Sequence, residues 1–118
     1  METRLAILAE AGVIDEDIHQ AMRKVTLRLE KHWQLPVRTE QGTLALTHLA
    51  NAIMRARRGE VIQGIDDELR QELESLETFP MIFSIHQDVM AHFPLAVPEY
   101  EVGYLLVNLA AMYEGKAV

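Results

Sequence analysis

The stretch Leu46-Thr47-His48-Leu49-Ala50-Asn51-Ala52-Ile53-Met54-Arg55-Ala56-Arg57-Arg58-Gly59 decides the fold. Leu46, Leu49, Ile53 and Ala56 recur at steps of three and four, the period of a helix with one buried stripe. Thr39, upstream, is a candidate N-cap. Arg55, Arg57 and Arg58 suit the negative end of the helix dipole, and Gly59 can take the left-handed conformation that closes a helix. His48 lies away from the buried stripe, on a face shared with Asn51 and Arg55. A helix with one apolar stripe needs other elements to bury against.

The flanking sequence supplies more helices. Ile14, Ile18, Met22, Val25 and Leu29 recur at helical spacing, with Asp15, Glu16 and Asp17 in the first turn. This helix is expected to run to about Trp33, where Leu35-Pro36-Val37 breaks it. A short segment from Glu2 to Ala11 precedes it, with Gly12 as its stop. After Gly64 and Asp66 comes a line of Leu69, Leu73 and Leu76, which Phe79-Pro80 interrupts. Ile82, Ile85, Val89 and Phe93 form a further helix, ended by Pro94. Pro98 fits the first turn of a last helix reaching about Gly115. β-strand alternation is weak, and neither Asn-Gly nor Asp-Gly occurs. The expected fold class is all-α, a compact bundle of five main helices plus a short extra N-terminal one. The short helix occupies residues 1–13 and the helical domain 14–118.

The last helix is expected to bury Val102, Leu105, Leu106, Leu109 and Met112. Val107, Ala110 and Ala111 make its opposite side apolar as well. A helix apolar all round is covered on several sides, and a second copy of the chain, in a homodimer, could supply one of them.

Composition bounds the function. The chain has 118 residues, enough for one domain with a modest core; 49% are hydrophobic and 25% charged, an ordinary globular balance. Cysteine is absent, so disulfides and thiolate metal sites are excluded and a reducing compartment is the natural reading. No signal peptide is visible at the N-terminus. The longest nearly uncharged run, Val102 to Tyr113, is shorter than the roughly 20 residues a bilayer requires. A cytoplasmic location is therefore expected, with no membrane partner. A net charge of −7 opposes direct nucleic-acid binding. Arg55, Arg57 and Arg58 are the only basic cluster, and they read first as a charged helix end.

Enzymatic chemistry finds no foothold. No His-x-x-x-His pair suggests a metal, no Gly-x-Ser-x-Gly elbow suggests hydrolysis, and no glycine loop suggests a nucleotide. Glu99 and Glu101 read as helix-start charges. His86 and His32 fall on apolar faces, where histidines are usually hydrogen-bonded and semi-buried. His19 and His92 have no readable role. His48 is different: an exposed imidazole, part of it neutral at physiological pH, is a usable nucleophile, and Arg55 could hold an incoming phosphate.

Two motifs in order resemble the PTS regulation domain, or PRD. The first places a histidine in a Leu-Thr-x-His-like context on a helix ending in basic residues and glycine, as in Leu46 to Glu60. The family often has Asp before this histidine; Thr47 stands there. The second is Pro-x-x-Glu-x-Gly-(Phe/Tyr)-x-x-x-His. Pro98, Glu101, Gly103 and Tyr104 match, and Asn108 replaces the final histidine. An amide cannot carry a phosphoryl group. The resemblance covers roughly Ile14 to Glu114.

The resemblance implies a dimeric five-helix bundle that regulates bacterial sugar-operon transcription, as in antiterminator-like proteins. Its histidines receive phosphoryl groups from the phosphocarrier HPr or a sugar-specific enzyme II B component. His48 is then the expected single acceptor, with Thr47, Asn51 and Arg55 near it, and the chain is expected to be a stand-alone PRD acting through another transcription regulator. It is expected not to be an enzyme and to need no cofactor or metal. The alternative is a dimeric protein–protein interaction module in which His48 is never phosphorylated.

Overall fold

Local signals for starting and stopping helices are followed closely in a computed structural model, which describes residues 2–115. Residue 1 and residues 116–118 of the expected units lie outside the described residues. Six helices and no strand occur among the described residues: α1 (Glu2–Glu10), α2 (Glu16–Lys31), α3 (Glu40–Arg58), α4 (Asp67–Glu74), α5 (Phe79–Met90) and α6 (Glu99–Gly115). The radius of gyration is 13.7 Å, against about 13.5 Å expected for a compact domain of this length. The expected division into five main helices and one short leader needs correction. α4, at 8 residues, is shorter than the leading helix, at 9. Leu5 of α1 is 0% exposed and belongs to the same core as Ile18, Leu46 and Ile85.

The caps explain the boundaries. Thr39 Oγ1 accepts the Gly42 N–H at 3.0 Å, and Gly59 closes α3 with φ of 73°. Asp66 caps α4 through the Leu69 N–H at 2.8 Å. α2 stops at Lys31 rather than Trp33. Gln34 takes a left-handed φ of 56°, and the Leu35 N–H returns to the Leu29 carbonyl at 2.9 Å. His32 therefore lies beyond the helix, exposed, edge-on to Trp33, and not on a buried stripe as expected. Phe79-Pro80 begins α5 instead of interrupting a helix, because a first-turn proline lacks only an N–H that would have no intrahelical partner.

α6 occupies the centre. α3, α5 and α4 all pack on it. Leu105, Leu106, Leu109 and Met112 are buried as the periodicity predicts, whereas Val102 is only half-buried. The second apolar side of α6 is met within the chain: Val107 and Ala110 share a shallow groove with Leu69, Leu73 and Leu76 of α4. α4 thus supplies part of the cover that the sequence reading assigned to a partner subunit. Ala56, expected in the buried stripe of α3, is half-buried, while Ala45, Ala50, Ala52 and Met54 are buried. Small residues on this face let α6 approach closely.

Charged side chains tie the helices together, Arg70 of α4 pairing with Glu99 of α6 among them. Asp88 of α5 accepts from Arg28 Nε at 2.6 Å and from Trp33 Nε1 at 2.8 Å, joining it to the end of α2. The Arg28 hydrogen bond is the main reason the Asp88 carboxyl is held below the usual aspartate range. Arg57 bridges to Asp15 and Asp17 at the start of α2. Arg55 of α3 grips Glu101 of α6.

Candidate phosphoryl-acceptor groove

The groove between α3 and α6 follows from two runs of helical spacing. On α3, His48, Ala52 and Arg55 sit one and two turns apart; on α6, Glu101, Tyr104 and Asn108 do the same. Ile62 and Gln63, from the connection between α3 and α4, close one end. The two sequence motifs therefore meet in space, and Asn108 lies in the same groove as His48.

His48 is exposed. Its ring has no hydrogen bond or ion pair among the described residues, so either nitrogen is sterically open to a donor. Arg55 Nε and Nη2 donate to Glu101 Oε2 and Oε1, each at 2.9 Å. This is the parallel two-bond fork that matches guanidinium to carboxylate. The Glu101 side chain is 1% exposed and that of Arg55 27%. The hydrogen bond to Glu101, ahead of burial, which opposes it, raises the Arg55 pKa above its ordinary value. Glu101 is thus a buried partner of Arg55, which corrects its reading as a helix-start charge. Arg58 pairs with Glu60 and Arg57 with Asp15 and Asp17, so each arginine of the basic cluster has a carboxylate partner within the chain.

Tyrosines brace the groove. Tyr104 Oη donates to the Gln63 carbonyl at 2.8 Å and Tyr100 Oη to the Glu60 carbonyl at 3.1 Å. Asn108 Nδ2 donates to the Tyr104 carbonyl at 2.9 Å, one turn back on its own helix. Gly103 is buried on the side of α6 facing Ile65, where a methyl group would come 2.7 Å from Cγ1 and 2.8 Å from Cδ1 of that side chain.

Two residues expected near His48, Thr47 and Asn51, do not line its groove. Thr47 lines a separate groove with Arg4, Arg38 and Leu44, and its hydroxyl is buried without a hydrogen-bond partner. Asn51 is half-buried and does not line the His48 groove. Ile62 and Gln63 carried no sequence signal, because a connecting segment has no period to read. His86 is buried, as its apolar face predicts, and desolvation pushes its pKa down. Among the described residues no group of three or more His, Asp or Glu could hold a metal ion, and no helix is long and apolar enough to cross a membrane.

An open imidazole sharing a groove with a carboxylate-anchored guanidinium, between two helices packed at the centre of an all-α unit, defines a small helical module with an accessible histidine in its groove. The chain belongs to the PRD domain family, which matches it over residues 23–111. It is 49% identical over 113 residues to the uncharacterized protein YhfY of Escherichia coli (strain K12), covering 96% of this chain and 94% of that protein. An uncharacterized protein of Haemophilus influenzae (strain ATCC 51907 / DSM 11121 / KW20 / Rd) is 31% identical over 99 residues, covering 84% of this chain and 79% of its own length. No solved structure matches the chain. Family membership makes it a module related to phosphotransferase-system regulation.

Proposed function

We propose that the protein is a cytoplasmic regulatory module that receives a phosphoryl group on His48 from HPr or an enzyme II B component and thereby adjusts sugar-operon transcription. The observation that carries this reading is the open, unpaired His48 ring in a groove with Arg55. In transfer from a phosphohistidine donor such as HPr, the lone pair of a His48 ring nitrogen forms a new P–N bond as the donor's P–N bond breaks. The donor imidazole leaves neutral, and each ring keeps the proton on its other nitrogen. The module supplies the acceptor and needs no catalytic apparatus of its own.

The test is intact-mass spectrometry after incubation with phosphoenolpyruvate, enzyme I and HPr, with and without enzyme II B components. One acid-labile phosphoryl adduct is expected on the wild-type chain and none on His48→Ala. Label that persists in His48→Ala would remove His48 from the acceptor role.

Asn108 in the groove favours a second reading, an interaction module working as the partner of another regulator without phosphorylation. Both readings expect a homodimer. Leu69 and Leu76 remain exposed beside the α4–α6 groove, apolar area that a second copy could cover. Static light scattering at micromolar concentration should give twice the 13.4 kDa chain mass; a monomer mass would exclude the dimer.

A further inference from the structure

We infer that Glu101 is the positioning residue of the His48 site: it anchors Arg55 through one edge of the guanidinium and leaves the other edge to bind the phosphoryl group. The inference rests on the proposed acceptor role of His48 and goes beyond it by assigning how the phosphoryl group is held.

A guanidinium has five N–H donors. Glu101 takes one from Nε and one from Nη2. Both Nη1 hydrogens and one on Nη2 have no partner among the described residues. Arg55 lies two turns after His48, about 10 Å along the axis. Both line one groove, and helical side chains lean toward the N-terminus, the direction in which His48 lies from Arg55. It is the only lysine or arginine lining the groove. The other charged groups that act on it are Glu101 and Glu60, and Glu60 also pairs with Arg58.

Two outcomes compete when a phosphoryl group arrives. Arg55 could leave Glu101 for the new anion, or bind both. Leaving would strand a carboxylate that is 1% exposed, a far larger penalty than an exposed ion pair returns. Binding both requires only the donors that are already free. The phosphoryl group is therefore added to an intact Arg55–Glu101 pair, and the tie between α3 and α6 is kept instead of released.

The experiment uses the full chain phosphorylated with potassium phosphoramidate, which transfers its phosphoryl group to imidazole as ammonia departs and needs no protein donor. The ³¹P NMR signal of phospho-His48 is assigned by its loss in His48→Ala, then titrated with pH in wild type, Glu101→Gln and Arg55→Lys. A held guanidinium favours the dianion and lowers the phosphoryl pKa. Removing the Glu101 charge alone would lower it further, so the sign separates charge from positioning. The expected result is a rise in Glu101→Gln, by up to about one unit, with a similar rise in Arg55→Lys, whose single ammonium cannot fork. A lower or unchanged phosphoryl pKa in Glu101→Gln overturns the inference, as does a His48 ring that phosphoramidate does not label. If Glu101→Gln does not fold, Arg55→Lys decides by the same criterion. Absent transfer from HPr and every enzyme II B component, with the titration as expected, would count against the proposed function alone.

Discussion

Replacing Arg55 by alanine is expected to destabilise the fold by about 3 kcal/mol at pH 8, near the low end of the 3–5 kcal/mol typical for breaking a buried ion pair. The low end applies because water already reaches the Arg55 side chain, which is 27% exposed. The cost comes from what remains: Glu101, 1% exposed, loses both of its hydrogen bonds. Without that partner a buried carboxylate is left with neither a donor nor a counter-charge. Urea unfolding of Arg55→Ala against wild type at pH 8 measures the loss. A loss below about 1 kcal/mol, the scale of a surface pair, would mean that Glu101 is not buried as described. Arg58→Ala, whose pair with Glu60 is exposed, is the control and should change little.

That pair also marks the limit of what the chain reveals one residue at a time. Thr39 and Gly59 were legible as caps because a cap bonds within three or four positions of itself. His48 was legible as exposed because its angle from Leu46, Leu49 and Ile53 depends on helix geometry alone. Arg55 and Glu101 lie 46 positions apart. Each also satisfies a local rule, a cation near a helix end and an acid near a helix start, so nothing in either window signals a partner. The two-sided apolar character of α6 was legible too, but its meaning was not. A sequence shows that a face must be covered, not whether α4 or a second chain covers it. The groove around His48 has the same origin. Thr47, adjacent in sequence to His48, turns about 100° away from it on a helix, while Asn108 and Tyr104, far off in sequence, arrive in its groove through the packing of α6 on α3.

Gly42→Ala puts that packing to the sharpest test, because two physical effects predict opposite signs. Helix propensity alone makes Ala more stable than Gly by about 1 kcal/mol in a helix interior. The structure predicts the reverse. A methyl group on Gly42 would lie 2.4 Å from the Val37 carbonyl oxygen, 2.5 Å from that of Pro36 and 2.5 Å from the Val37 carbonyl carbon. All three are backbone atoms, held by the Val37 N–H to Leu35 carbonyl bond at 2.9 Å and by the Thr39 cap. A side chain could rotate away; this turn can move only by giving up the cap and the burial of Leu35 and Val37. Overpacking typically costs 1–3 kcal/mol and occasionally more. The fixed backbone puts Gly42→Ala at about 3 kcal/mol net or above, a fall in Tm of roughly 10 °C or more. Gly103→Ala is the informative comparison. Its methyl would meet side-chain atoms alone, Cγ1 and Cδ1 of half-buried Ile65 and, at 3.4 Å, Nη1 of Arg70, which can move by changing rotamer, so a smaller loss is expected there. Differential scanning calorimetry of the two variants should order them Gly42→Ala well below Gly103→Ala, with wild type highest. A Gly42→Ala protein as stable as wild type would show that α3 does not enter beneath the Pro36–Val37 turn. The position of His48, six residues further along the same helix, would then have to be reconsidered with it.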